Sequence, residues 1–210
     1  MGKLSYTQEY FLCAVNTKGE LKTDAIHSAL FAGALLELHE NGFLEYTGNE
    51  KELVVVSKPL DNDFAYLKPL YDYIESQKKP MKRKALPEFV FNSKRFTELV
   101  SAIGASLVAL GCADELPPQG LFKNKTGFAP KADKAKLVVE KIRTEHLRDG
   151  TMENEILVLA ILLSQGNLIN DCFDKADAEH LKQRLKEVQN SDVWVMANEH
   201  YNVLMSGIEA

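Results

Sequence analysis

Cysteine is scarce in this sequence. Cys13, Cys112 and Cys172 are the three cysteines among 210 residues, and they lie far apart along the chain. None belongs to a CxxC pair of the kind that binds zinc, and an odd number does not suit a framework of paired disulfides. We therefore expect a protein of the reducing cytoplasm, without structural disulfides and without a bound metal ion.

Long apolar segments are also missing. The longest uninterrupted apolar run, residues 156–163, is far shorter than the ~20 residues that a membrane-spanning helix requires. No apolar stretch typical of a signal peptide follows Met1. We therefore expect any membrane association to be peripheral, on the cytoplasmic face.

The sequence has no excess of basic charge. Its 25 Lys and Arg residues face 30 Asp and Glu residues, which gives a formal net charge of −5. A dedicated nucleic-acid-binding protein is normally basic. Two helices followed by a hairpin also occur in winged-helix DNA-binding domains, but the second helix here has no Lys or Arg after Lys22. The sequence predicts no nucleic-acid partner.

Familiar catalytic motifs are absent as well. The sequence has no P-loop, no dinucleotide-binding glycine pattern, no GxSxG elbow and no HExxH. Asp24 with His27, and Asp177 with His180, are three residues apart, which on a helix is typical of a surface ion pair. We predict no catalytic residue and no cofactor, and an enzyme is kept as a further alternative.

The strongest local pattern lies in residues 4–45, which predict two helices joined by a turn. Ser5 and Gln8 form a capping box at the start of the first helix. The turn covers residues 16–19, and the second helix covers residues 24–41 and ends at Gly42. Its small residues, including Gly33, favour close packing against another helix, because a glycine inside a helix otherwise costs ~1 kcal/mol. We expect this helix to be central in a bundle.

The rest of the chain is mainly helical by pattern. We predict a hairpin over 43–56, helices over 64–75, 94–110, 133–148, 153–164, 176–189 and 192–206, and two short strands over 114–130. The helix over 133–148 has Leu137, Val138, Ile142 and Leu147 as its main apolar positions. The basic run 78–84 is either a solvated linker or a contact for anionic lipid. The predicted fold is mainly α, a single-domain bundle over 1–210 with apolar central helices, amphipathic helices around them and one or two β-hairpins.

Several packing motifs are shared with a known family. They are Leu4-Ser5 with Glu9, Ala29-Leu30 through Leu38 with Gly42, Leu99-Val100 through Leu107-Val108 with Gly111, and Leu157 through Ala160. In these the chain resembles the Golgi phosphoprotein 3 family over nearly its whole length, in a form closer to the prokaryotic members. The resemblance implies a helical core with a protruding hairpin. It also implies peripheral membrane binding through a phosphoinositide headgroup, the 4-phosphate in eukaryotes.

The headgroup-binding residues of that family are not conserved here. The family's tryptophan falls on Lys22, and its three arginines fall on Phe31, Thr97 and Val100. Basic residues do stand at the starts of two helices, where backbone N–H groups favour anions. The predicted lipid- or anion-binding residues are Lys18, Lys22, Phe31, Lys94, Arg95, Thr97 and Val100.

The counterpart of the family's protruding hairpin spans residues 114–130. Its apolar residues Leu116, Leu121 and Phe122 are predicted to contact a membrane or a partner. The first hypothesis for function is therefore peripheral binding to anionic lipid, with the specific phosphoinositide site lost. The alternative is a cytoplasmic adaptor that keeps the fold without lipid binding and contacts a protein partner or a second copy of itself.

Overall fold

A computed structural model of the chain describes residues 3–48, 53–119, 125–148 and 150–206. The helices are α1 Tyr6–Ala14, α2 Asp24–Glu40, α3 Lys68–Glu75, α4 Pro87–Phe91, α5 Ser93–Ala109, α6 Ala132–His146, α7 Asn154–Gln165, α8 Ile169–Cys172, α9 Lys175–Glu187 and α10 Asp192–Ser206. The strands are β1 Leu44–Thr47, β2 Leu53–Val56, β3 Met81–Lys82, β4 Ala113–Gln119 and β5 Lys125–Pro130, and 3-10 turns cover Asn62–Leu67 and Arg83–Ala85. The predicted mainly α fold with β-hairpins is confirmed.

Helices α2 and α7 pack against each other at the centre of the fold. Residues 28–38 of α2 and 156–163 of α7 are all buried, which the apolar sequence of α7 predicts. A Cβ atom at Gly33 would lie 2.9 Å from Cδ1 of Leu162. The small-residue face of α2 therefore admits a leucine side chain of α7 rather than the backbone of a neighbouring helix. Among the described residues, no helix combines the length and the apolar character needed to cross a bilayer.

The ends of the first helices follow the sequence signals. The backbone N–H of Gln8 donates to Ser5 Oγ at 3.3 Å, and the N–H of Ser5 donates to Gln8 Oε1 at 3.1 Å. Gly42 has φ of +70° after α2, and the N–H of Phe43 donates to the carbonyl of Leu38 at 2.9 Å. The capping box and the glycine stop are confirmed.

The basic run 78–84 is not simply a linker. Its centre forms β3, which pairs antiparallel to β2 and completes a three-stranded sheet in the order β1-β2-β3. Met81 is buried, and the Arg83 guanidinium lies 4.6 Å from the ring centroid of Tyr46. The same guanidinium is 3.7 Å from the carboxylate of Glu199 on α10. The interpretation as a solvated linker is therefore wrong at the centre of this run, because Met81 is buried and Arg83 packs against Tyr46.

Helix α6 turns only some of its apolar positions towards the core. Val138 and Ile142 are buried, but Leu137 and Leu147 are 60% and 57% exposed. The next inward residue is instead His146, which is completely buried. Successive helix residues point about 100° apart, so Leu137 and Leu147 cannot share the face that Val138, Ile142 and His146 present to the core.

The hairpin β4–β5 is fixed to α5 by an aromatic ring. The ring of Phe128 lies so close to Gly104 that an added Cβ atom would overlap it, with Cε2 at 2.8 Å. Phe128 is itself buried. The base of the hairpin is therefore held by a ring that occupies the space over a glycine.

We expect the substitution Gly104→Ala to destabilise the protein. Overpacking a core costs ~1–3 kcal/mol, whereas the gain in helix propensity returns only ~1 kcal/mol. Urea unfolding should show a lower free energy of unfolding for G104A, and a smaller loss when G104A is introduced together with Phe128→Leu. A G104A protein more stable than the wild type would contradict this contact.

A buried carboxyl group lies on α2. Glu37 is 2% exposed and accepts a hydrogen bond from the Tyr66 hydroxyl through Oε1. Its other oxygen, Oε2, and the hydroxyl oxygen of Thr7 are buried and have no hydrogen-bond partner among the described residues. Burial raises the pKa of Glu37 above its ordinary value of 4.5, against the opposite effect of nearby hydroxyl groups. A protonated Glu37, which can act as a donor, suits this environment.

We predict that Glu37→Gln increases stability at neutral pH. Because the pKa of Glu37 is higher in the folded state than in the unfolded state, the wild type loses stability as pH rises from about 4.5 towards the folded pKa. The amide can still accept from Tyr66 and carries no charge, so the gain should be on the order of 1 kcal/mol. Thermal unfolding at several pH values should show the difference between variant and wild type growing with pH, and a constant difference would argue against the buried charge.

Candidate lipid- and anion-binding groove

A groove of about 720 Å³ opens between the turn before α2 and the first half of α5. We call it the α2–α5 groove. Its lining residues are Lys18, Gly19, Glu20, Leu21, Asp24, His27, Val90, Phe91, Ser93, Phe96, Thr97, Val100, Ser101 and Gly127. The groove therefore combines an apolar wall from α4 and α5 with a charged wall from the segment that leads into α2.

The charged wall rests on a rigid turn. The side-chain oxygen of Asn16 accepts hydrogen bonds from the backbone N–H groups of Lys18 at 2.8 Å and Glu20 at 3.0 Å. Gly19 has φ of +77°, and a Cβ there would lie 3.0 Å from the backbone nitrogen of Phe128. The turn is therefore seated on the base of the β4–β5 hairpin, and it presents Lys18 to solvent.

His27 lies deeper in the groove, between the two walls. Its ring centroid is 4.8 Å from that of Phe96. Its Nε2 is 3.2 Å from the carbonyl oxygen of Leu21, and because a carbonyl only accepts, Nε2 carries the proton. Its Nδ1 is 4.0 Å from a carboxylate oxygen of Asp24. Asp24 therefore lies beside His27 as the three-residue spacing predicts, and the two form an ion pair when the ring is protonated.

The apolar wall ends in an exposed aromatic residue. Phe91, the last residue of α4, is 56% exposed. The next residue, Asn92, caps α5 by accepting from the N–H of Arg95 at 3.1 Å, which fixes the junction of the two helices. An aromatic side chain is thus held at the rim of the groove, beside the exposed Lys94.

The electrostatics of the groove are mixed. Of its described lining residues, Lys18 is cationic and His27 becomes so on protonation, while Glu20 and Asp24 are acidic. A pocket that binds a polyanionic headgroup needs several hydrogen-bond donors directed at one point. The lining of this groove does not resemble such a pocket.

The predicted site residues separate into groups. Lys18, Thr97 and Val100 line the groove, whereas Lys22 and Lys94 are exposed without lining it. The hydroxyl of Thr97 donates to the carbonyl of Ser93 at 2.6 Å, so it is engaged within α5.

Two of the predicted residues lie elsewhere. The Arg95 guanidinium is 4.5 Å from the ring centroid of Tyr73 and lines a different cavity, of about 550 Å³. Phe31 is completely buried, with its ring 5.4 Å from that of Phe89. As a correction to the predicted set, Phe31 belongs to the core and Arg95 faces away from the groove.

The second hairpin also differs in part from its expected role. Leu116 is half-buried, and its Cδ1 lies 3.1 Å from the position of a Cβ atom at Gly19. It therefore packs under the turn of the charged wall, because the glycine leaves room for it. Leu121 and Phe122 lie outside the described residues.

Sequence reasoning missed Phe91, Phe96 and His27 as groove residues. A usable signal was the segment Pro87–Phe91, in which two aromatic residues immediately precede a capped helix, so that one of them must leave the core. The spacing of His27 from Asp24 indicates an ion pair and gives no sign of a position in a groove.

Other polar clusters do not form a familiar active site in the described part of the chain. No group of three or more His, Cys, Asp or Glu side chains is placed to hold a metal ion there. Asp177 pairs with Arg143 rather than with His180. The Nδ1 atoms of His180 and the buried His146 are 3.0 Å apart, and burial lowers the pKa of His146.

Comparison with known proteins places this arrangement in a family. A comparison with curated proteins gives no match to the sequence. The model of the family described as Golgi phosphoprotein 3 (GPP34) matches residues 7–200, and this range contains both walls of the groove. Because that match covers most of the 210 residues, the chain belongs to the Golgi phosphoprotein 3 family.

Proposed function

We propose that this protein binds reversibly to the cytoplasmic surface of an anionic membrane, with the α2–α5 groove facing the lipid. The role is non-catalytic, since it requires only reversible contact with lipid. The observation that carries the proposal is Phe91, an exposed aromatic residue at the rim of a groove whose surroundings include exposed Lys18, Lys22 and Lys94. Membership in the Golgi phosphoprotein 3 family supports it.

The expected affinity for the membrane is modest and has two contributions, the attraction of basic side chains to anionic lipid and the burial of an aromatic side chain. A basic side chain near an anionic bilayer contributes ~1 kcal/mol. Burying a phenylalanine side chain contributes ~1.5–3 kcal/mol. Three lysines and one aromatic residue together give reversible binding that weakens at high salt.

The groove favours surface charge over a particular headgroup. Glu20 and Asp24 stand on its charged wall, and Arg95, which would be a bidentate phosphate ligand, stacks on Tyr73 instead. We therefore expect similar binding to different anionic lipids at equal charge, without preference for a phosphoinositide.

Flotation with vesicles of phosphatidylcholine, with and without phosphatidylglycerol, tests the proposal. The wild type should float only with the anionic vesicles and should lose binding at high salt. The triple variant K18E/K22E/K94E should weaken binding by about 100-fold or more, at ~1 kcal/mol for each lost cation. F91S should weaken it by about tenfold to 100-fold, through the lost apolar burial of ~1.5–3 kcal/mol.

Matched controls lie on other faces of the molecule. Leu137→Ser removes an equally exposed apolar residue from α6, and Lys175→Glu reverses an exposed cation on α9. Both should float like the wild type. Absence of flotation at low salt, or equal losses in the control variants, would defeat the proposal.

A second candidate is an adaptor that holds a basic peptide in the same groove, which the acidic pair Glu20 and Asp24 favours. The double variant Glu20→Gln and Asp24→Asn separates the two functions. Under lipid binding, removal of two negative charges should strengthen flotation several-fold. Unchanged or weaker flotation would instead favour the adaptor.

A further inference from the structure

Two cysteines that are far apart in sequence meet in a second groove. Cys13, near the end of α1, and Cys172, the last residue of α8, both line a cavity of about 770 Å³ whose remaining wall is largely α6. We call this the thiol groove. It shares no lining residue with the α2–α5 groove. Both cysteines are half-buried, so the groove gives a small solute access to them.

The two thiols interact directly. Their interaction lowers the pKa of the Cys172 thiol and raises that of the Cys13 thiol. Cys172 is therefore the more acidic thiol of the pair. Cys112 differs from both, because it is completely buried and its sulfur lies 3.6 Å from the carbonyl oxygen of Leu110.

Metal binding does not explain the pair. In the ranges that the structure describes, no third His, Cys, Asp or Glu side chain joins the two thiols to make a ligand set. The positive charges of Lys136 and Arg143 on the groove wall are offset by the negative charges of Glu140 and Asp171. Arg143 also forms ion pairs with Glu140 and Asp177. The remaining chemistry of two adjacent thiols is oxidation to a disulfide.

We propose that Cys13 and Cys172 form a reversible intramolecular disulfide when the protein meets a peroxide, which makes the thiol groove a site of oxidative modification.

The reaction has two balanced steps. In the first, the Cys172 thiolate attacks one oxygen of the peroxide; an S–O bond forms, the O–O bond breaks, and the departing oxygen takes up a proton to leave as water or an alcohol. In the second, the sulfur of Cys13 attacks the sulfenic acid; an S–S bond forms, the S–O bond breaks, and the hydroxyl group leaves with the Cys13 proton as water. The peroxide accepts two electrons, and a cytosolic thiol such as glutathione returns them by exchange.

A disulfide requires the two sulfurs to approach to a bond of about 2.0 Å. Helix α8 is a single turn of four residues, and Asn167, two residues before it, has φ of +59°. The disulfide would tie the end of α1 to α8 across the groove.

Mass spectrometry of the reduced full-length protein tests the proposal. After peroxide treatment we expect a loss of two hydrogen atoms in the intact mass and a tryptic cross-link between the Cys13 and Cys172 peptides. Glutathione should reverse both changes. In the untreated protein, Cys172 should react with iodoacetamide about tenfold faster than the buried Cys112, which serves as the internal control.

Single variants distinguish the roles of the two thiols. Cys13→Ser should stop the reaction at the Cys172 sulfenic acid, which dimedone traps, whereas Cys172→Ser should leave Cys13 reduced. Circular dichroism would establish that both variants fold. The proposal fails if both cysteines stay open to alkylation under peroxide that fully oxidises glutathione, if the cross-link forms only between two chains, or if the two variants react alike.

Discussion

The contact of α2 with α7 at Gly33 is the constraint on which the other elements depend. Because Leu162 occupies the space over that glycine, the two most apolar helices of the chain lie close together and are buried on every side. The remaining helices then cover them, and each needs only one apolar face. The thiol groove forms where outer elements meet one another, and the α2–α5 groove forms where α4, α5 and the turn at Gly19 meet the first residues of α2.

Both grooves follow from this arrangement, and both depend on short elements. The α2–α5 groove is bounded by the turn at Gly19 and by α4, and the thiol groove is bounded by α8, a helix of four residues. Short elements gain little stability from their own hydrogen bonds and take their positions from the core beneath them. The walls of both grooves are therefore formed in part by segments that the core positions but does not enclose.

Local signals predicted the elements well, and long-range packing decided the rest. The capping box at Ser5 and the stop at Gly42 mark helix ends, because the groups that satisfy each helix end are nearby in sequence. The direction of Arg95 depends on Tyr73, and the meeting of Cys13 with Cys172 depends on how α1 and α8 pack. Neither neighbour can be read from a local pattern, so the groove residues were predicted only in part.

The packing of α2 against α10 has a consequence for biosynthesis. Helix α2 ends at Glu40, whereas its neighbour α10 begins only at Asp192. The apolar α2 helix of the nascent chain must therefore wait until α10 has been translated before its surface is fully covered. Until then α2 is a natural target for chaperones, and a message truncated before α10 would yield a chain whose central helix stays partly bare.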